Sequence, residues 1–266
     1  MEQMLGQFIA IVFSGGGAIV VGVLGSLIAG FLLGQRLDLP FLQHRHLRRI
    51  LSFPKNGPIV IVVAHREQML ATDALPRIAL ETVFALNNIQ SILGKLGWRG
   101  EVKILEVNRV GDTDKQGNLI ILGGDRVNSL TRDFLTDLAS KERDTLGFER
   151  TTVKTEERWH IRSENATFVS KSYEQLSSNA SNLEDVALIT RISNPRNEKK
   201  AIVILAGIRG IGTWGAADFL DSHARDLSMK LRAAHMIRFQ ALISVSYRRE
   251  GLGINETRLG FVKQLP

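Results

Sequence analysis

The chain has 266 residues, no cysteine and a formal net charge of +7. Without cysteine it has no disulfide framework, no thiolate metal site and no thiol nucleophile. Only 6% of its residues are aromatic, and it lacks RNP-type motifs and zinc-finger ligand sets. The positive charge therefore does not favour nucleic acid as a partner.

Residues 8–34 contain no charged side chain. An uncharged run of this length can cross the ~30 Å hydrocarbon core as a helix, so we predict a transmembrane anchor over residues 1–35. Small residues recur at every fourth position of the run, namely Ser14, Ala18, Gly22, Ser26, Gly30 and Gly34. The small-xxx-small pattern favours helix association, which predicts a homo-oligomer. Alternatively, the small residues have no role in helix association, since glycine is common in transmembrane helices.

Basic residues follow the predicted anchor, whereas none precedes it. They are Arg36, Arg45, Arg48, Arg49 and Lys55. Because basic residues concentrate on the cytoplasmic side of a span, we predict an external N-terminus and a cytoplasmic C-terminal domain. Residues 36–57 would form a basic juxtamembrane connector that contacts anionic membrane lipid.

Residues 58–266 show alternating strand and helix patterns, which predict one α/β domain. Apolar runs rich in β-branched residues predict strands at Pro58–Ala64, Val102–Val107, Asn118–Leu122, Val186–Ile192, Ala201–Ala206, Phe239–Tyr247 and Leu259–Lys263. Helical spacing predicts helices at Ala74–Leu96, Ser129–Leu138 and Trp214–Ala224. Polar alternation predicts short antiparallel strands at Phe148–Thr155, Arg158–Arg162 and Ala166–Ser170. The predicted fold is a Rossmann- or flavodoxin-like sandwich with an antiparallel insertion.

Three of the predicted strands end in segments that suit a ligand. Open α/β sheets bind ligands beyond the carboxyl ends of their strands. Glycine lets a ligand approach the backbone, and a helix N-terminus attracts phosphate or carboxylate. The predicted ligand-binding residues are Gly123, Gly124, Asp125, Arg126, Asn128, Gly207, Arg209, Gly210, Gly212, Thr213 and His65. In the alternative reading, the glycines serve only the turns and His65 is an ordinary loop histidine.

Signatures of known catalytic sites are absent from the sequence. It has no Gly-x-Ser-x-Gly elbow, no His-Glu-x-x-His and no Walker motif. The carboxylates near the strand ends, Glu67, Asp73 and Asp125, are not spaced as an acid–base pair. We therefore predict no metal site and no cofactor, and we assign no catalytic residue from the sequence.

The segment 210–216 (GIGTWGA) resembles the Gly-Gly-x-Gly-Thr-x-x-Glu signature of the LOG-type nucleotide phosphoribohydrolases, within the wider SLOG group of nucleotide-binding domains. The resemblance implies that Gly210, Gly212 and Thr213 form a turn that cradles phosphate. Arg209 replaces the leading glycine and Ala216 replaces the catalytic glutamate, which implies a binding domain without that activity. SLOG-like domains are similar in role to sensors of nucleotide signals in bacterial antiviral defence, some of which are joined to membrane-spanning effectors.

Together these features favour a membrane-anchored cytosolic sensor or effector that binds a nucleotide-like anion. One alternative is an enzyme acting on a nucleotide or sugar phosphate, with Asp125, Glu67 or Asp73 as acid or base. Another is a membrane-anchored structural or scaffold protein.

Overall fold

The computed structural model describes residues 40–54, 56–64, 79–153, 156–175, 180–250 and 253–266. The chain divides at Arg45, and residues 46–266 form a compact unit that contains every strand described. No helix among these residues is long and apolar enough to span a membrane. The predicted anchor at residues 8–34 lies outside the described residues.

A mixed sheet of seven strands forms the centre of the compact unit. Its strands are β1 (Ile59–Val63), β2 (Val102–Glu106), β3 (Asn118–Leu122), β7 (Asn182–Asn194), β8 (Asn197–Gly207), β9 (Phe239–Arg248) and β10 (Ile254–Gln264). Their order is β10-β9-β7-β8-β3-β1-β2. The four strands from β8 to β2 are mutually parallel, whereas β7, β9 and β10 add antiparallel pairs. The carboxyl ends of β1, β3, β8 and β9 therefore lie at one edge, where β7 and β10 begin.

Six α-helices accompany the strands in the described part of the chain. They are α1 (Pro40–Leu51), α2 (Leu80–Lys95), α3 (Asp112–Lys115), α4 (Ser129–Lys141), α5 (Ser172–Gln175) and α6 (Gly210–Ala233), with a short 3₁₀ turn at Val107–Arg109. Buried side chains of α1, α2 and α6 pack on one face of the sheet, and those of α4 pack on the other. The predicted α/β fold is confirmed at this level.

Strands β1 and β3 lie in the middle of the sheet and are buried at every residue. Helices or loops cover both of their faces, which explains their continuous apolar sequences. The edge strand β2 is more exposed, since Val102 and Ile104 keep about two fifths of their surface in solvent, 38% and 42%. No full-length helix connects β2 to β3, because only the 3₁₀ turn and α3 lie between them.

A separate antiparallel sheet joins α4 to α5. It consists of β4 (Gly147–Val153), β5 (Glu156–Arg162) and β6 (Thr167–Val169), in the order β4-β5-β6. Ile161 buries its side chain among the residues on the α4 face of the large sheet. The predicted antiparallel insertion is confirmed.

The predicted connector contributes to the core of the compact unit. Leu47, Ile50 and Leu51 of α1 are at most 2% exposed, although the sequence places them before the predicted domain. Arg191 of β7, itself buried, donates from Nε to the carbonyl oxygen of Leu51 at 3.3 Å. Arg49, predicted to face lipid, donates to Ser228 Oγ at 3.4 Å.

Candidate functional site

A cavity of about 1230 Å³ opens at the edge where β1, β3 and β8 end. Eight of the eleven predicted ligand-binding residues line it, and they are Gly123, Gly124, Asp125, Arg126, Gly207, Arg209, Gly210 and Thr213. The two glycine segments are distant in sequence, but the parallel pairing of β3 with β8 places their ends side by side. The sheet therefore brings most of the predicted site together.

Three predicted residues stand apart from this group. Asn128 is fully buried, and its side chain accepts from the N–H of Leu130 at 3.2 Å and donates to the carbonyl of Leu122 at 3.0 Å. It therefore caps α4, as asparagine commonly does at a helix start. Gly212 faces the interior beneath the turn and does not line the cavity. His65 lies outside the described residues.

Close packing explains the glycines at both strand ends. A Cβ on Gly124 would lie 2.5 Å from the carbonyl oxygen of Gly207, so the two turns approach backbone to backbone. A Cβ on Gly207 would lie 2.5 Å from the carbonyl oxygen of Arg209. Gly123 also has a φ of +115°, which L side chains rarely adopt. The turns require glycine whether or not a ligand binds there.

The first turn of α6 faces the cavity without a side-chain cap. Arg209 is its N-cap residue, with an extended backbone and no capping hydrogen bond from its side chain. The N–H groups of Gly210 and Ile211 form no hydrogen bond with the described residues, and both residues line the cavity. The Thr213 hydroxyl instead accepts from the N–H of Gly207 at 3.0 Å, which closes the turn. These two N–H groups and the helix dipole make this end of the cavity attractive to an anion.

Charged side chains of both signs surround that helix start. Arg126 is exposed at the cavity rim and forms no ion pair with the described residues. The carboxyl group of Glu81 approaches Gly210 closely, with its Cδ 3.2 Å from where a Cβ would lie. Asp125 keeps only 14% of its side chain exposed and lies 3.8 Å from Arg132 Nε. Burial raises the pKa of Asp125, and the nearby Arg132 opposes that rise.

A carboxyl group that the sequence analysis missed lies beneath α6. Asp185 of β7 is 1% exposed, and its Oδ2 accepts from the backbone N–H of Arg209 at 3.1 Å. Its Oδ1 is buried without a well-formed hydrogen bond from the described residues. Burial raises the pKa of Asp185 to about 6, although Ser170 and Arg209 partly offset the effect. Asp185 therefore holds the N-cap residue in place at the cost of burying a carboxyl group.

Buried hydroxyl groups connect that region to α5. The hydroxyls of Ser170 and Ser172 lie 2.6 Å apart, and Arg209 Nη1 donates to Ser172 Oγ at 3.5 Å. Burial raises the pKa of Tyr247, whose hydroxyl also interacts with Ser172. These contacts tie α5, β9 and the start of α6 into one polar cluster below the cavity.

Several other cavity residues were not predicted, because they come from elements without glycine-rich ends. They are Glu81, Phe148, Glu156, Glu157, Trp159, Tyr173, Tyr247 and Arg249. Aromatic residues placed in strands with polar alternation are a signal that could have found Phe148 and Trp159. Within the described ranges, no group of three or more histidine and carboxylate side chains could hold a metal ion.

No model of a known protein family matches the chain, and a search of curated proteins finds no match either.

Proposed function

We propose that the protein binds a nucleotide-like anionic ligand in this cavity and acts as a membrane-anchored cytosolic sensor or effector. The observation that carries the proposal is the position of the cavity relative to the sheet order. The chain passes from β1 to β2 on one side and then returns to β3 on the other side of β1. The strand order therefore reverses between β1 and β3, which makes this a topological switch point. Open α/β sheets bind ligands at switch points, outside the carboxyl ends of the strands.

The polar groups at that point support an anion. The uncapped start of α6 offers two N–H groups, and the guanidinium of Arg126 stands at the rim. The four parallel strands also support the finer classification as a Rossmann- or flavodoxin-like domain, which belongs to this proposal. The resemblance to SLOG domains agrees with the position of Gly210 and Thr213 on the cavity wall.

The proposal is tested by measuring ligand affinity in a variant that lacks one positive charge at the cavity rim. Arg126→Ala should weaken binding of a nucleoside monophosphate about 10- to 150-fold, the equivalent of 1.5–3 kcal/mol for a hydrogen bond to a charged group. Arg196→Ala is the matched control, because Arg196 lies in the β7–β8 turn at the opposite edge of the sheet. Titration calorimetry on the full chain in detergent measures both. Equal affinity in the wild type and Arg126→Ala would argue against an anion site at this rim.

An enzyme at the same cavity is a second candidate, and Asp125 is the observation that favours it. A partly buried carboxyl group with a raised pKa suits proton transfer, and Asp125 lines the cavity. Incubation with nucleotides and sugar phosphates separates the candidates. Turnover that Asp125→Asn abolishes supports the enzyme, whereas a thermal shift without turnover supports the sensor. A chain that responds to neither class of ligand would be a scaffold.

The membrane anchor at residues 8–34 is also part of the proposal, and it rests on the uncharged run and the basic residues that follow it. We expect a reporter that functions only in the cytoplasm to be active when it is fused after Pro266. A reporter that needs export should be inactive at the same position. Activity of the exported reporter would reverse the orientation and separate the cavity from cytosolic nucleotides.

A further inference from the structure

One wall of the cavity is aromatic, and the small antiparallel sheet supplies most of it. Phe148 of β4, Trp159 of β5 and Tyr173 of α5 all line the cavity. Each is half-buried and packs against the core on the α4 face of the large sheet. Cε1 of Phe148 lies 3.7 Å from where a Cβ of Gly124 would stand. The aromatic wall therefore begins directly beside the glycine turn that follows β3.

The ring of Tyr173 is held in place by its neighbours. The backbone N–H of Trp159 donates to the Tyr173 hydroxyl at 3.2 Å. The guanidinium carbons of Arg158 and Arg209 lie 5.8 Å and 5.6 Å from the ring centroid, within the range of cation–π attraction. Since Arg209 is also the N-cap residue of α6, this contact connects the aromatic wall with the anion-attracting helix start. The two parts of the cavity are thus in direct contact through Arg209 and Tyr173.

Carboxylate side chains line the same cavity and add hydrogen-bond acceptors to it. Asp125 follows Gly124, which Phe148 approaches. Glu156 and Glu157 of β5 also line the cavity, and Glu157 accepts from Arg150 Nη1 at 2.7 Å. Carboxylate oxygens accept hydrogen bonds from the amino and ring N–H groups of a base. A ligand that suits the whole cavity carries an anionic group at one end and a flat aromatic ring with polar hydrogens at the other.

We propose that Phe148 and Trp159 of this wall stack the base of a purine nucleotide whose phosphate lies at the start of α6, while Tyr173 connects the wall to Arg209. This inference rests on the proposed function and specifies the class of its ligand. Bases stack on aromatic side chains through their π faces, and the larger purine ring covers more of such a wall. The cavity volume of about 1230 Å³ is above the usual 300–1,000 Å³ of ligand sites, so the volume is large enough for a nucleotide.

The experiment compares ligands with and without a base in paired variants. The probes are adenosine and guanosine 5′-monophosphate, with ribose 5-phosphate as the ligand that lacks a base. Trp159→Leu removes the π face but keeps an apolar side chain, whereas Trp159→Phe keeps a ring. We expect Trp159→Leu to weaken nucleotide binding about tenfold or more, Trp159→Phe to retain most of it, and neither to change the affinity for ribose 5-phosphate. Phe148→Leu should act like Trp159→Leu, and provides a second variant should one of them fold poorly.

Fluorescence gives a direct readout of stacking. Trp98 and Trp214 do not line the cavity, so Trp98→Phe/Trp214→Phe leaves Trp159 as the single tryptophan of the chain. Its emission should be quenched by the two nucleotides but not by ribose 5-phosphate.

Two results would overturn the inference in distinguishable ways. If both leucine variants bind the nucleotides as the wild type does, with ribose 5-phosphate binding intact, the stacking wall is wrong while the proposed function stands. If the wild-type chain binds neither the nucleotides nor ribose 5-phosphate, the proposed function fails and the inference fails with it.

Discussion

Asp185 and Gly212 contact each other beneath the first turn of α6, and their neighbourhood explains both. A Cβ on Gly212 would lie 2.5 Å from Asp185 Oδ2, 2.9 Å from Gly207 Cα and 3.0 Å from the carbonyl oxygen of Val186. Glycine is therefore required at 212 so that the helix can start directly above a buried carboxyl group. The sequence resemblance assigned Gly212 to a phosphate turn, whereas its closest contacts are with the protein interior.

Substitution of Gly212 should therefore act through stability. Gly212→Ala forces backbone and carboxyl atoms apart, and we expect a loss of about 1–3 kcal/mol in the free energy of unfolding, as for other overpacked sites. Gly94→Ala in α2 is the matched control, because nothing lies within 4 Å of its new Cβ. It should gain about 0.5–1 kcal/mol from helix propensity. Urea denaturation measures both, and a Gly212→Ala variant of unchanged stability would contradict the packing.

The stability of the protein should depend on pH through Asp185. Its folded pKa of about 6 exceeds the ordinary value of 3.8, so between these values the folded state binds more protons than the unfolded state. The free energy of unfolding should then fall as the pH rises from about 4 to 6 and level off above. Asp185→Asn keeps an oxygen acceptor without the charge, and should be more stable than the wild type by up to about 3 kcal/mol at pH 7.5.

Chemical denaturation at pH 4.5 and pH 7.5 checks this expectation. The neighbouring Glu184→Gln serves as the control, because Glu184 is half exposed and pairs with Lys171 on the surface. An Asp185→Asn variant with the same pH dependence as the wild type would show that another group dominates acid stability.

Among the elements, the small antiparallel sheet is attached to the large one partly through the hydrogen bonds of one buried side chain. Gln240 of β9 is fully buried, accepts from the N–H of Leu146 at 2.7 Å and donates to its carbonyl at 2.8 Å. Leu146 directly precedes β4. The hydrogen bonds therefore anchor the sheet that carries Phe148 and Trp159, and with it the aromatic wall of the cavity.

Gln240→Leu should release that anchor. Two buried backbone groups of Leu146 would lose their partners at about 1–3 kcal/mol each, so we expect a total loss of about 2–6 kcal/mol. Amide hydrogen exchange should also accelerate in β4 and β5 more than in β1 and β3. Ser244→Ala on the same strand is the control, because Ser244 is exposed. Uniform exchange throughout the chain would mean that the two sheets do not separate locally.

For the molecule as a whole, α1 contributes to the core of the compact unit although it lies in the predicted connector. The side chains of Leu47, Ile50 and Leu51 are buried, and full burial of one such side chain contributes about 1.5–3 kcal/mol. A fragment that begins at residue 58, the predicted domain boundary, would leave their binding surface open to solvent.

Truncated fragments of the chain test at which residue the folded domain begins. We expect fragment 46–266 to unfold cooperatively, and fragment 58–266 to be less stable by about 4 kcal/mol or more, or to aggregate. In the full chain, Ile50→Ala should cost about 2–5 kcal/mol by leaving a cavity in the core. If the two fragments had the same urea midpoint, α1 would contribute nothing and the boundary at 58 would be right.

Local residue patterns predict the positions of most strands and helices, although β7, β8 and α6 extend beyond the predicted bounds. The apolar run at Asn118–Leu122 predicts β3 with the observed bounds, because a buried central strand needs apolar residues on both faces. The segment 194–197 (NPRN) has the composition of a turn and closes the β7–β8 hairpin. The glycine-rich ends of β3 and β8 predict two sides of the cavity, because glycine at a strand end indicates a tight turn that a side chain would obstruct.

Contacts between residues that are distant in sequence follow only from the tertiary structure. The strand order places β7 beside β8, which brings Asp185 under α6 although 24 residues separate it from Arg209. The small sheet folds back so that Phe148 and Trp159 complete a cavity begun by other strands. The same holds for the helix before β1, whose apolar residues pack on a sheet that forms later in the chain. Periodicity reports which face of an element is buried, but the partner that buries it is fixed by long-range pairing and packing.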